Sequence, residues 1–387
     1  MTPAPPPRRT RALLIAWYCL SIGSVGAIHP MLSLLLTRRG ATESAAALVL
    51  ALFPLGLLLS GPAWGWASDQ GGRPKRTLFI AISVVAVGAL LLLLPGAWWM
   101  LVPGLSLMAS SRGASVALGD VHTLRLLGGG EEGSARYGGV RVWGSVTFVA
   151  AVQGASLLAA ANPQSLLYVH AAMILALVGV TAALPEYQPT DDERTTESSS
   201  LWDVVRHPAL GPLLFLSVLH VGGISTYDNL FSAHAAGKGV PDGLIGTAIA
   251  LGVSAEIGVL ALSPWLLRRF PGRALLTTAV LTSIPRWLVT GLATSALPLV
   301  AVQVLHGASF GLWWVGGVAF VARVAPPHLR GSAQGAFLAS GFGLGALVSL
   351  LTASVAIPVV GTSGVFLGLA AASTLAALVL PWALRRS

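Results

Sequence analysis

The sequence predicts an all-α membrane protein of twelve transmembrane helices in two six-helix pseudo-symmetric halves, both termini cytoplasmic. Three observations carry this expectation: the composition, the length of the apolar runs, and the one-sided distribution of basic residues. Hydrophobic residues make up 55% of the chain and charged residues only 10%, where a soluble domain has about a quarter charged residues. Mean hydropathy is +0.78. Apolar runs of about 18 or more residues mark transmembrane helices. They fall near 12–36, 44–67, 77–95, 98–124, 139–161, 165–185, 209–235, 243–267, 274–293, 297–322, 332–356 and 360–384. In hydrocarbon each N–H and C=O must bond within its own segment, which helices of this length achieve. A transmembrane β-barrel needs alternating segments of about ten residues, and the chain has none. The 45 glycines and 24 prolines fit helices here, because small residues let spans approach closely and Pro is tolerated among them.

The first span follows a basic tail (Arg8, Arg9, Arg11) and could mimic a signal peptide. It is too long for an h-region and lacks a small-residue cleavage site, so it reads as an uncleaved anchor. With the N-terminus inside, the cytoplasmic segments hold Arg73, Lys75, Arg76, Arg125, Arg136, Arg194, Arg206, Arg268, Arg269, Arg273, Arg323, Arg330, Arg385 and Arg386 as well as the tail. The external loops hold only Arg38, Arg39 and Lys238. The net charge of +9 is therefore positive-inside asymmetry, and no nucleic-acid partner is expected. Cys19, the only cysteine, excludes an internal disulfide and a cysteine-based metal site.

Residues 186–208, "EYQPTDDERTTESSSLWDVVRHP", have the composition of a solvated linker. They separate an N-terminal half, 1–185, from a C-terminal half, 209–387. The halves resemble each other. "IHPMLSLLLTRRGATES" at 28–44 lies over "YDNLFSAHAAGKGVPDG" at 227–243 with a constant offset of 199. Ser33 falls on Ser232, Arg39-Gly40 on Lys238-Gly239, Glu43 on Asp242, and His29 on Asp228. Two six-helix halves related by an axis along the membrane normal are a transporter architecture, with the substrate site between them near the midplane. His29 and Asp228 are then expected to face each other near the outer mouth.

After the second span comes "GWASDQGGRPKR" at 65–76. Asp69 sits at the C-terminal end of its helix, the unfavourable end of the dipole for an anion, so it needs a nearby cation. The spacing of Gly65, Asp69, Gly72 and Arg73 resembles the loop signature of the major facilitator superfamily. The resemblance implies that these four residues belong to a cytoplasmic gate. The copy in the second half, "SPWLLRRFPGR", keeps Gly272-Arg273 but has Arg269 in place of the aspartate.

Besides histidines, six ionisable residues lie inside the spans: Arg112, Asp120, Arg141, Asp228, Glu256 and Arg286. Each costs roughly 2.5–3.5 kcal/mol at a helix centre on insertion scales, so they should pair or line a watery cavity. Depth matches Asp120 with Arg141. Glu256, Arg286 and His306 lie near the middle of spans eight, nine and ten, and His220 at similar depth in span seven. Arg112 has no evident partner. His170 reads as an ordinary buried or interfacial histidine. His122, His207, His234 and His328 lie near span ends and carry no specific signal.

A narrower resemblance attaches to these residues. "YGGVRVWGS" (137–145), "AEI" (255–257), "RW" (286–287) and "VLHGASFG" (304–311) resemble the nucleoside and phenylpropionate permease branch of the superfamily. "TYD" (226–228) and "ATSAL" with the later "LH" (293–306) resemble the oligosaccharide:proton symporters. The resemblance implies that Asp120 and Arg141 bind the substrate. With Trp143 near enough for ring contact, His29 and Asp228 from the repeat, Tyr227 and Arg112, the expected substrate site is His29, Arg112, Asp120, Arg141, Trp143, Tyr227 and Asp228. The resemblance also implies proton coupling through Arg286 and His306. Ser309 stands where those symporters carry a proton-bearing glutamate, and Glu256 is the expected replacement. Desolvation favours the protonated form of a carboxylate that leaves its cation, which would link the proton to substrate movement.

The expected function is proton-coupled symport of a small polar solute (sugar, nucleoside or aromatic acid) at the cell membrane, with no cofactor beyond the proton. The partners are that solute and the bilayer, and the architecture can work as a monomer. A drug:proton antiporter is the alternative; it would suit an aromatic and aliphatic cavity with one or two carboxylates, and the six charges with the "RVWGS" stretch favour a polar substrate instead. A membrane-embedded enzyme is a remote third. Ser309 lies three residues after His306, but "GASFG" lacks the strand-turn-helix setting of a nucleophile elbow.

Overall fold

The computed structural model describes residues 7–71, 74–128, 130–186, 201–326 and 329–383. The helices are α1 (Arg8–Ile28), α2 (Leu32–Arg38), α3 (Glu43–Leu50), α4 (Leu52–Gly71), α5 (Pro74–Leu91) and α6 (Val102–Leu126). There follow α7 (Gly130–Ala161), α8 (Ser165–Ala183), α9 (Leu201–Arg206), α10 (Leu210–Gly237), α11 (Asp242–Ala261) and α12 (Ser263–Arg269). The chain continues through α13 (Gly272–Leu292), α14 (Ala296–Ala301), α15 (Leu312–Val324), α16 (Arg330–Leu338) and α17 (Ala346–Ala383). No strand occurs among the described residues.

Ten helical stretches are long and apolar enough to cross a bilayer. The expected span at 98–124 is a 3-10 turn, Trp98–Leu101, leading into the 25-residue α6. This helix is not among the ten; Arg112, Asp120 and Arg125 lower its hydropathy. The two expected spans after 331 form one helical stretch, Ser332–Leu380. It is broken at Gly361, whose φ of 65° and ψ of 174° are not helical and which only glycine adopts readily. Large apolar side chains such as Leu59, Leu297, Val359 and Leu378 are 70–84% exposed, which suits a surface covered by acyl chains.

Contacts divide the chain into two units, Met1–Pro30 with Leu55–Thr196, and Met31–Pro54 with Glu197–Ser387. In the first unit α1 packs along α7 and α8, and α5 along α6 and α8. Glycines set these approaches: a Cβ on Gly26 would lie 2.7 Å from the Phe148 carbonyl oxygen, and one on Gly144 would lie 2.6 Å from Ile22. Gly88 and Gly104 face each other, and a Cβ on either would meet the other's carbonyl at 2.7 Å. The second unit has a core of Leu210, Leu213, Leu276, Trp313, Phe320 and Phe337 between α10, α13, α15 and α16. Gly222 of α10 lies against the Gly345 carbonyl in the same way, at 2.6 Å.

The sequence repeat is visible in the backbone. Gly40 and Gly239 both take positive φ, 91° and 77°. Each closes its helix identically, Ala41 N–H donating to Leu36 O and Val240 N–H to Ala235 O, both at 3.0 Å. These are Schellman closures, which need a left-handed residue after the helix. Within the second unit Ser33 and its counterpart Ser232 share a 2.9 Å hydrogen bond. Ser44 donates to the Ser354 carbonyl. Arg38, in the last turn of α2, grips Asp242 at the start of α11 through two hydrogen bonds of 2.7 and 2.8 Å. Both charges suit the helix ends they occupy, and Asp242 is only 8% exposed.

Two outcomes are expected from this packing. Arg38→Ala or Asp242→Ala alone costs about 1.5–3 kcal/mol of stability in thermal unfolding, and the double Ala variant costs less than the sum of the two. Gly26→Leu lowers the unfolding temperature, with overpacking costing about 1–3 kcal/mol; Gly179→Leu, whose Cβ has nothing within 4 Å, leaves it unchanged.

Candidate functional site

The embedded charges fall into two clusters, one in each unit. In the second unit the centre is Arg286 on α13, fully buried at 0% exposure. Its Nε–H donates to Gln303 Oε1 at 3.2 Å and its Nη1 to Ser309 Oγ at 3.1 Å. The guanidinium lies over the rings of Tyr227, 4.1 Å from the centroid, and Trp287, at 4.5 Å. Gln303 is itself held, its amide donating to Thr290 Oγ1 and the Leu299 carbonyl. Two buried polar atoms here, Arg286 Nη2 and the Tyr227 hydroxyl, have no hydrogen-bond partner.

Glu256 on α11 meets His306 Nε2 at 3.3 Å. The His306 ring stacks on Phe310, with centroids 5.5 Å apart, and lies 6.0 Å from Tyr227. Asp228 is within electrostatic reach of His306, Arg286 and Glu256. Its countercharge inside its own unit is therefore this cluster. His220 Nε2 donates to the Ser309 carbonyl at 2.8 Å, which fixes its tautomer.

A break in the helix aims these groups. Between α14 and α15 the chain passes through a 3-10 turn, Val302–Val304, and a π-helical turn, Gly307–Gly311. Such turns inside helices occur often at functional sites. Gly307 allows the turn to touch α11: a Cβ there would lie 2.5 Å from the Ala255 carbonyl carbon. One on Gly252 would lie 3.1 Å from the His306 Cβ. The small residues of "VLHGASFG" thus bring His306 beside Glu256.

In the first unit Asp120 and Arg141 do not form a direct ion pair as their depths suggested. Tyr18 stands between them. Its hydroxyl donates to Asp120 Oδ1 at 2.6 Å, and Arg141 lies over its ring, 5.6 Å from the centroid. Tyr137 packs edge-on against Tyr18 at 6.0 Å. Tyr18 was missed because an aromatic residue in an apolar span carries no signal of its own. Trp143 is 48% exposed, and its carbonyl accepts from Cys19 and Thr147. Arg112 on α6 donates to the Ser21 carbonyl of α1 and lies in electrostatic reach of His29 and His170. His170, read from sequence as an ordinary buried histidine, joins this group through a 2.9 Å bond to the Ser24 carbonyl.

The expected cytoplasmic gate lies outside the described residues. Gly72 and Arg73 are outside entirely, and for Gly65 and Asp69 only their place in α4 is described. Among the described residues no cluster suited to hold a metal ion occurs.

One expected outcome tests the helix break. Gly307→Val pushes the π-helical turn away from Ala255 and separates His306 from Glu256. The variant should fold with reduced stability, overpacking costing about 1–3 kcal/mol. Its solute binding should fall to the level of a His306→Ala variant in a thermal-shift assay.

Residues 12–367 match the MFS_1 like family. The chain is 26% identical to the maltose permease of Geobacillus stearothermophilus over 334 residues, covering 85% of this chain and 83% of that protein. It is 30% identical over 197 residues to the probable 3-phenylpropionic acid transporter of Escherichia coli (strain K12), covering 48% and 50% of the two chains. The solved nucleoside transporter NupG superposes with a TM-score of 0.84 at 17% identity, over 97% of this chain and 99% of that one. With the helical architecture and apolar spans described above, these likenesses place the chain in the MFS_1 like family of the major facilitator superfamily, as a multi-pass membrane transporter of solutes and not an enzyme.

Proposed function

We propose that the protein is a proton-coupled symporter for a small polar organic solute, working by alternating access. It has twelve spans in two halves, 1–185 and 209–387, joined by a cytoplasmic linker, with both termini cytoplasmic. The matched permeases act on a sugar and an aromatic acid, and the solved neighbour on nucleosides. All three classes suit a cavity with charges of both signs.

The observation that carries the reading is the Glu256–His306 pair, at 3.3 Å, beside Asp228 and the buried Arg286. Two carboxylates against one guanidinium leave this cluster one negative charge in excess when His306 is neutral. One proton restores balance. An uncompensated charge at a helix centre costs roughly 2.5–3.5 kcal/mol, so the cluster crosses low-dielectric surroundings more readily once protonated. Glu256 takes the proton, His306 orients its carboxylate, and Arg286, locked by Gln303 and Ser309, holds the remaining negative charge on Asp228. Tyr227 and Asp228 reach the solute from this unit; Asp120, Arg141, Trp143 and His29 reach it from the other. The gate residues Gly65, Asp69, Gly72 and Arg73 close the cytoplasmic side.

The test begins with thermal stability of the purified protein against maltose, uridine and 3-phenylpropanoate at two pH values. A ligand at about a hundred times its dissociation constant stabilises by roughly 2.7 kcal/mol. The solute that binds is then added to vesicles containing a pH dye. Wild type is expected to take up protons with the solute. Glu256→Gln is expected to lose that uptake while still exchanging solute across the membrane. Uptake that survives the substitution would remove Glu256 from the coupling step.

A further inference from the structure

The charges of the first unit do not balance either, and their excess has the opposite sign. Inside the spans Asp120 is answered by Tyr18 and by Arg141 across the same ring. Arg112 is left over. A guanidinium carries five N–H donors, and the hydrogen bond described for Arg112 goes to the Ser21 carbonyl. That oxygen already accepts from the Ser24 hydroxyl at 2.8 Å. The other groups in electrostatic reach of Arg112 are His29 and His170, which can add only positive charge. Among the described residues no carboxylate pairs with Arg112.

The surroundings of Arg112 are built. Ser21 and Ser24 of α1 are 1% and 0% exposed. Their carbonyls, one helical turn apart, take Arg112 from α6 and His170 from α8. A carbonyl oxygen only accepts, so His170 donates through Nδ1–H and its Nε2 is left over. That Nε2 is buried, with the residue 2% exposed, and has no hydrogen-bond partner. A cation without an anion and a polar nitrogen without a partner therefore meet on adjacent turns of α1. A single bond to the Ser21 carbonyl does not by itself call for the planar donor array that matches a carboxylate.

We propose that Arg112 seats a carboxylate of the transported solute, which makes the substrate an organic anion, with His170 Nε2 as a second polar contact. This rests on the transporter reading above and narrows it. One bound carboxylate matches the excess positive charge of the first unit, and one proton matches the excess negative charge of the second. The loaded carrier then has every embedded charge answered, and the net movement of one carboxylate with one proton is electroneutral.

The experiment pairs acids with their amides. Benzoate, hexanoate and 4-hydroxybenzoate, each beside its amide, are titrated into the full-length detergent-solubilised protein while unfolding is followed. Maltose and uridine serve as neutral solutes. At least one carboxylate is expected to raise the unfolding temperature where its amide does not. Arg112→Gln should weaken that acid by about tenfold or more, and Arg112→Lys by less. The ligand-free unfolding temperatures of both variants show whether each is folded. His170→Phe should weaken 4-hydroxybenzoate more than benzoate. In vesicles, uptake of the acid should be indifferent to an imposed potassium diffusion potential.

Three results overturn the seat: no carboxylate stabilising the wild type, equal effects of acid and amide, or an Arg112→Gln variant that binds the acid as wild type does. A neutral solute accumulated equally by wild type and Arg112→Gln would also overturn it while leaving the transporter reading intact. If vesicles move none of the solutes that bind, the transporter reading itself fails, whichever group holds the acid.

Discussion

The structure depends on one constraint: a charge placed inside hydrocarbon must be answered nearby. Water screens an exposed ion, but a span offers only what neighbouring helices bring. Arg286 shows how neighbouring helices supply the answer. Gln303 and Ser309 take two of its nitrogens, Tyr227 and Trp287 cover its faces, and Asp228 and Glu256 lie within its field. The partners come from α10, α11, α13 and the broken helix between α14 and α15. The packing of α10, α11, α13 and the broken helix around Glu256 and His306 is therefore inseparable from the way these charges are answered.

That packing needs helices closer than ordinary side chains allow. No hydrophobic force draws helices together inside lipid, so van der Waals contact between small residues has to do so. Gly307 against Ala255 and Gly252 against His306 set the approach in one unit, and Gly26 and Gly144 set it between α1 and α7 in the other. The π-helical turn at Gly307–Gly311 then rotates the following side chains. It leaves both the Ser309 hydroxyl and the Ser309 carbonyl engaged, by Arg286 and His220. The same glycines that make the spans look unstructured by soluble-protein standards are the ones that position the site.

The helix ends at the repeated glycines follow the same logic in simpler form. A glycine with positive φ closes each helix at the same place in the repeat. The acidic residue that begins the next helix, Glu43 or Asp242, is set at the favourable end of its dipole. Only one of the two arms carries a paired arginine: Arg38 holds Asp242, while the position equivalent to Arg38 is Gly237, which lies beside Glu43. The repeat thus holds in the backbone of this turn and is broken in charge.

Sequence alone determined the class of this protein. Apolar runs of span length, a positive-inside bias and a 199-residue repeat are local or one-dimensional properties, and a bilayer reads them directly. It also singled out the candidate site residues, because an ionisable group at membrane depth stands out wherever it falls. The partners were decided only by tertiary structure. Depth along two helices matched Asp120 with Arg141, but rotation about each helix axis decides what lies between them, and Tyr18 does. Asp228 aligned with His29 in the repeat, yet its field is set by Arg286 and His306, brought in by α13 and a helix break. His170 became part of the Arg112 group through a carbonyl of α1. Hydropathy records depth and not rotation, and every one of these contacts is a matter of rotation.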